Sequence, residues 1–226
     1  MQTKVIYEDE AVLVCYKPAG LAVQTAVSFQ EDMVNELKNY LSTKNGGKNP
    51  YLGVIHRLDQ PVEGLLVFGK TKQAAAELTA QLTKGTLSKK YIAVLCGIPD
   101  KEQGELVDYL RKNPRTNLAQ VVSEKEAGGG KGEAKRAQLR YGILAAKEQR
   151  ALAEIEIKTG RFHQIRAQMS HMGYPLWGDV KYGAKVRGQL ALCAHYLEFE
   201  NPLTGKRQIV TIEPENPVFK DFLEKL

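Results

Sequence analysis

Residues 54–62 read Val-Ile-His-Arg-Leu-Asp-Gln-Pro-Val and set a carboxylate, Asp59, two places after a guanidinium, Arg57. The stretch breaks two apolar runs, residues 51–55 and 65–68. Strand-like runs on either side of a short polar turn give its side chains a rigid base, a common setting for site chemistry. A lone carboxylate there suits work as a nucleophile, a base or a stabiliser of developing positive charge. On spacing alone it suits equally a turn aspartate that accepts backbone N–H bonds. About a hundred residues on, Lys158-Thr-Gly-Arg-Phe-His-Gln-Ile-Arg166 supplies the cations such a carboxylate would need.

That second segment can be read geometrically. Phe162, Ile165, Met169 and Met172 recur with helical spacing, which predicts a helix after Gly160, stopped by Gly173 and Pro175. His163, Arg166 and Ser170 form a separate polar stripe on it, and Arg161 stands at the helix N-terminus, where free N–H groups favour an anion. The stripe reads either as a solvated basic face or as a part-buried one. Ile165 and Ala167 flank Arg166, and a part-buried guanidinium demands a carboxylate. Asp59 is the natural candidate.

The elements that must position these residues follow from periodicity and turn chemistry. Strands are expected over residues 11–16, 91–96, 134–144, 152–158, 196–199 and 208–212. Helices are expected over about 30–41, over 72–83 and near 218–226, besides the one after Gly160. Lys17-Pro-Ala-Gly20 is a turn and residues 45–50 a loop. Glu126-Ala-Gly-Gly-Gly-Lys-Gly-Glu133 reads as a mobile hairpin tip, since it lacks the Gly-Lys-Ser/Thr ending of a phosphate loop. Strands outnumber helices and often run consecutively, so the fold class is α+β rather than a regular βαβ repeat. With no repeat and no linker, residues 1–226 are expected to form one domain, without a separate N-terminal module.

Composition narrows the partners. The chain carries 32 Lys and Arg against 26 Asp and Glu, and from 131 to 166 nine basic residues face four glutamates. A surplus placed beside the proposed site suits a polyanion such as RNA. No apolar run is long enough to cross a bilayer, and the N-terminus has no signal-peptide pattern, so the expected compartment is the cytoplasm. Cys15, Cys96 and Cys193 are odd in number and widely spaced, which predicts buried, reduced thiols and neither a zinc ribbon nor a dithiol site. Cys193 lies close to His195 in sequence, but adjacency in sequence is not adjacency of side chains.

Several pieces, taken in order, resemble the RluA-type family of RNA pseudouridine synthases: Lys17-Pro-Ala-Gly20, His56-Arg-Leu-Asp59, Lys90-Tyr91-x-Ala93, Thr159-Gly-Arg-x-His-Gln-Ile-Arg166, Gly178-Asp-x-x-Tyr-Gly183 and Leu192-Cys-Ala194 before Leu197-x-Phe199. The resemblance implies a central, largely antiparallel mixed sheet with surrounding helices and a basic catalytic cleft. It implies Asp59 as catalytic aspartate, Tyr91 packing on the target base and Arg166 paired with Asp59. It also places Arg57, His56, Arg161, His163, Gln164 and Leu192 on the substrate, Leu192 as the aliphatic residue under the base. The partner is RNA, ribosomal or transfer, with the chain acting as a monomer, and the reaction needs neither cofactor nor metal. Two departures stand out. The family commonly carries Thr-Ser-Gly after the aspartate where this chain has Gln60-Pro-Val-Glu-Gly64, which is expected to alter the loop that meets RNA, and commonly His at Cys193.

Two rival classes remain. A metal-dependent hydrolase would use His56, His163, His171 and Asp59, although a His163–His171 spacing of eight is not the i, i+4 geometry of helical zinc pairs. A non-catalytic RNA-binding protein would keep the basic surface and have no need of Asp59.

Overall fold

The computed structural model describes residues 1–26, 30–44, 46–47, 49–127 and 133–223. In chain order the elements are β1 (Lys4–Glu8), β2 (Val12–Lys17), α1 (Met33–Lys44), β3 (Gly53–Val54), β4 (Glu63–Gly69), α2 (Lys72–Lys84) and β5 (Ser88–Cys96). There follow β6 (Gln103–Asn113), β7 (Leu118–Val122), α3 (Glu124–Ala127), β8 (Lys135–Lys147), β9 (Arg150–Ile157), α4 (Gln164–His171), β10 (Leu192–Glu200), β11 (Arg207–Thr211) and α5 (Lys220–Leu223). The chain divides into two compact units, residues Met1–Lys89 with Cys193–Pro214 and residues Lys90–Leu192 with Glu215–Leu226.

In the first unit the strand order is β1-β2-β4-β10, with β11 on β10 and β3 on β4. Pairing is antiparallel except between β4 and β10, where Cys193 faces Glu63 and Ala194 faces Gly64 in parallel register. The sheet is therefore mixed and largely antiparallel, as expected. Strands β2 and β4 are buried along their whole length, which is why both read, apart from Lys17 and Glu63 at their ends, as apolar runs rather than alternating ones. Helix α2 covers one face through Ala74, Ala75 and Leu78, packed with Val12, Val14, Leu65, Val67 and Phe199. Thr71 starts α2 by accepting the Ala74 N–H at 3.1 Å, and Gly85, at φ 74°, ends it by donating to the Gln81 and Leu82 carbonyls. Helix α1 begins at Met33 rather than near Gln30 because the Asp32 carboxylate accepts the Asn35 N–H at 2.8 Å.

The second unit is built on the antiparallel order β5-β9-β8-β6-β7. Helix α4 lies against this sheet, with Ala167 meeting Leu110, Ala119, Ala137 and Tyr182. The segment after α4 folds back so that the Ser170 hydroxyl donates to the Tyr182 carbonyl at 2.6 Å. Of the glycine-rich stretch 126–133, residues 128–132 lie outside the described residues, as does the end of the expected C-terminal helix, 224–226. Among the described residues no helix is long and apolar enough to cross a membrane.

Candidate active site

The Asp59 loop is held by what its neighbours bury. Between β3 and β4 the side chains of Ile55, His56, Leu58 and Val62 turn inward, while Arg57, Gln60 and Pro61 are exposed and Asp59 is half-buried. Burying an aliphatic side chain is worth about 1.5–3 kcal/mol, so Leu58 and Val62 pin the loop on either side of the carboxylate. The Asp59 carbonyl accepts the Val62 N–H at 3.0 Å, closing the turn. Gly64 follows at φ 131°, and a Cβ there would lie 2.5 Å from the backbone nitrogen and oxygen of Ala194. Only glycine lets β4 start so close to β10.

Lys17 completes the support. Its side chain is fully buried, and its ammonium donates to the carbonyls of Leu21 at 2.7 Å, Pro18 at 2.9 Å and Gln60 at 3.0 Å. The Gly20 N–H also donates to the Gln60 carbonyl, at 2.8 Å, and the Gln60 side-chain amide returns a bond to the Gly20 carbonyl at 2.9 Å. The Lys17-Pro-Ala-Gly20 turn is thus fastened to the residue next to Asp59. Burial pulls the Lys17 pKa down to about 8 against the opposing pull of the Asp59 and Glu63 carboxylates. Nothing in the spacing of Lys17 announces this role; the motif's resemblance was the only signal.

His56 is a core residue. Its ring is buried, Nε2 accepts the Val67 N–H at 3.5 Å, and burial followed by the charge of Lys89 holds its pKa well below the ordinary value. It therefore braces the loop as a neutral ring. The departure from the family pattern also points inward: Val62 and Glu63 are buried, and Glu63 accepts the Tyr16 hydroxyl at 2.6 Å. Within the same departure Gln60 and Pro61 are the exposed positions.

The second unit carries Tyr91, Arg161, His163, Gln164, Arg166 and Leu192. Tyr91 is buried on β5 opposite Ile155 of β9, and Leu192 is buried at the start of β10. Arg166 on α4 is buried, and its Nε and one terminal nitrogen each lie 2.7 Å from an oxygen of Asp179. Asp179 had no role assigned from sequence, although it stands in the quoted Gly178-Asp-x-x-Tyr-Gly183 piece. A guanidinium has five N–H donors, so the same group can serve a second carboxylate. The guanidinium also lies 4.8 Å from the centre of the Tyr182 ring.

The start of α4 differs from the helical reading. His163 sits at φ 52°, in the left-handed region, and the helix begins at Gln164. His163 Nδ1 lies 2.9 Å from the Tyr182 hydroxyl, which itself accepts the Ala119 N–H at 2.7 Å. Burial, with the charges of Arg166, Lys181 and Lys112, lowers the His163 pKa to about 3. Gln164 is buried and internally engaged, accepting from the Thr159 hydroxyl and Arg161 N–H and donating to the Gln138 carbonyl. It shapes the turn into α4. Phe162, expected on the buried stripe, is exposed instead, because the left-handed residue breaks the helical phase before it.

Part of the basic surplus is neutralised locally. Lys135 pairs with Glu133, Arg140 with Glu105, Lys158 with Glu156 and Arg150 with Asp221. Among the described residues, Arg161 forms no ion pair with a carboxylate and Arg136 feels Glu105 only at longer range; the Arg161 Nε donates to the Arg136 carbonyl at 2.9 Å. No group of three or more His, Cys, Asp or Glu is placed to hold a metal ion among the described residues. The three cysteines are free thiols, Cys15 and Cys193 buried and Cys96 partly so.

Comparison with known proteins bears on the family and the fold. The sequence profile of the RNA pseudouridylate synthase family matches residues 11–171. A Pseudomonas aeruginosa protein named ribosomal large subunit pseudouridine synthase D is 33% identical over 242 residues, covering 99% of this chain and 70% of its own. An uncharacterized RNA pseudouridine synthase of Bacillus subtilis is likewise 33% identical over 232 residues, covering 99% of this chain and 72% of its own. The human RNA pseudouridylate synthase domain containing 4 has a similar fold, with a TM-score of 0.76 at 20% identity over 95% of this chain and 90% of its own. The chain belongs to the RNA pseudouridylate synthase family. It is an isomerase that converts uridine to pseudouridine in RNA.

Proposed function

We propose that this isomerase acts on a flipped-out uridine in structured RNA, with Asp59 as the catalytic carboxylate. The observation that carries the proposal is the bracing of the Asp59 turn by the buried Lys17 ammonium through the neighbouring Gln60 carbonyl. A buried cation spent on holding one exposed turn is hard to explain if its aspartate is only a turn residue.

The reaction breaks the C1′–N1 bond, turns the uracil and joins C1′ to C5, whose hydrogen leaves as a proton while N1 takes one up. Uridine and pseudouridine are isomers, and no electron or phosphoryl group is transferred. An ionised carboxylate beside C1′ serves as nucleophile, as base at C2′ or as stabiliser of ribosyl cation character. Tyr91 would hold the face of the loose base and relay the C5 proton, with Leu192 as the opposing aliphatic surface. Arg166 would keep Asp59 ionised, and Arg57, exposed two residues before it, would keep the nucleotide out of its stack. Arg161 and His163 would meet flanking RNA. Relatives named for the large ribosomal subunit make ribosomal RNA the first substrate to try, ahead of transfer RNA.

RNA labelled with tritium at C5 of uridine tests the assignment. The parent chain alone should release label to water, undiminished by chelator. Asp59→Asn should lower release on the order of a thousandfold while RNA affinity holds. Near-normal release by the variant would overturn the role of Asp59, and RNA binding without release would favour the non-catalytic reading.

A further inference from the structure

Phe162 is 37% exposed, in a segment whose other members are tied down or positively charged. Its ring stacks on the His163 imidazole, with centroids 3.8 Å apart and planes 20° from parallel. His163 is anchored through Nδ1 to the Tyr182 hydroxyl, and Tyr182 to the backbone of β7 through the Ala119 N–H. A histidine at φ 52° is strained, and that strain persists because this chain of bonds holds it. Its result is to turn Phe162 out of the helix and support it from behind with a neutral ring. With Ala119 donating to the Tyr182 hydroxyl, the hydroxyl's own proton is available for Nδ1, the tautomer that leaves the imidazole proton on Nε2.

The surrounding charge indicates the occupant. Lys112 Nζ lies 4.6 Å from the centre of the Phe162 ring, Arg161 precedes it in the chain, and Arg136 is bonded to Arg161 through its carbonyl. Lys112 and Arg161 form no ion pair with a carboxylate among the described residues, whereas nearby Arg140 and Lys158 each have one and Arg136 is drawn toward Glu105. A flat exposed ring among unneutralised cations matches the needs of single-stranded nucleic acid, whose bases stack while its phosphates seek charge. An acidic peptide would answer the cations and leave the ring unused.

We propose that Phe162, backed by His163 and flanked by Lys112 and Arg161, is a stacking platform for an unpaired base of the RNA, with the two cations on adjoining phosphates. The identity of the partner as RNA rests on the synthase reading; the platform itself rests on the geometry. Lys112 is exposed and exchanges the ring for a phosphate when the base arrives.

Oligoadenylate, which contains no uridine and cannot react, separates this binding from catalysis. Phe162→Ala should bind it roughly tenfold or more weakly than the parent, with an unchanged thermal melt. Phe162→Trp should retain affinity, and its added emission, over that of Trp177, should be quenched on titration. Duplex RNA of the same length should bind the parent and Phe162→Ala alike. Unchanged oligoadenylate affinity in Phe162→Ala, or equal weakening toward single strand and duplex, would overturn the platform. Tritium release from bulk RNA is scored separately. Release by the parent with no effect of Phe162→Ala on oligoadenylate removes the platform and keeps the synthase reading. No release, with oligoadenylate binding that depends on Phe162, does the reverse.

Discussion

Arg166 grips Asp179 at two points, each 2.7 Å long, and both side chains are buried. Arg166→Met would leave a buried carboxylate without its cation, at a cost of about 3–5 kcal/mol. Arg166→Met combined with Asp179→Leu removes both charges and should recover most of that loss in urea melts. Turnover should not recover with stability, because the guanidinium is also assigned to Asp59. A double variant that regains both would make the arginine purely structural. Arg166→Lys keeps the charge but loses the planar two-point grip, and should be impaired in turnover as well.

Lys17 predicts an alkaline limb in the rate. Its pKa is lowered to about 8 by burial, and as an ammonium it has three N–H donors for three carbonyls. Above that pH one donor is lost and the Asp59 turn loosens, so turnover should decline. Stability should not decline through the same group. Between about 8 and the ordinary 10.5 the unfolded chain binds the extra proton, so this lysine's contribution to stability rises with pH. Parallel pH profiles of turnover and of the melting midpoint check the divergence, and Lys17→Met should lack the alkaline limb at a lower overall rate.

His163 acts on stability at acid pH. Its pKa is lowered to about 3 from 6.5, first by burial and then by Arg166, Lys181 and Lys112. Between those values the unfolded chain is protonated and the native chain is not, so stability is complete above about 6.5 and is lost as pH falls toward 3. His163→Gln should flatten that part of the curve in urea melts at a series of pH values. An unaltered slope would mean that other groups produce it.

RNA binding should weaken with salt in proportion to the cations that are free to meet phosphate. With Arg136, Arg161 and Lys112 as the contacts, the log–log slope is expected near about −2 to −3, at roughly −0.7 to −0.9 per contact. Arg161→Gln should reduce its magnitude by about one contact. Arg140→Gln should change it less, since Glu105 already neutralises that arginine. Equal effects of the two substitutions would show that the ion pairs do not sort these cations.

Strands β2 and β4 and helix α2 were legible because their local signals, apolar runs and a Thr71–Gly85 capped helix, agree with their burial. Strands β1, β6 and β7 were missed. In β6 the polar residues Glu105, Asp108, Arg111 and Lys112 obscure an alternation that pairing with β7 and β8 makes real. The burial of Arg166 could be inferred from Ile165 and Ala167, but its Asp179 partner could not, since that pairing depends on the chain folding back after α4. The phase error at Phe162 has a similar cause: the Tyr182 hydroxyl lies 19 residues from the histidine it holds. Local periodicity carries no trace of such a tether.

Lys17 reaches the Asp59 turn through main-chain oxygens, and every chain has those oxygens whatever its side chains. The socket that carries the aspartate is therefore insensitive to the identity of the exposed residue at position 61, and at position 60 it would forfeit only the amide bond to Gly20. Sequence can drift at the rim while the carboxylate stays where it is. For protein engineering, these two exposed positions can be varied with the least disturbance to the Asp59 turn.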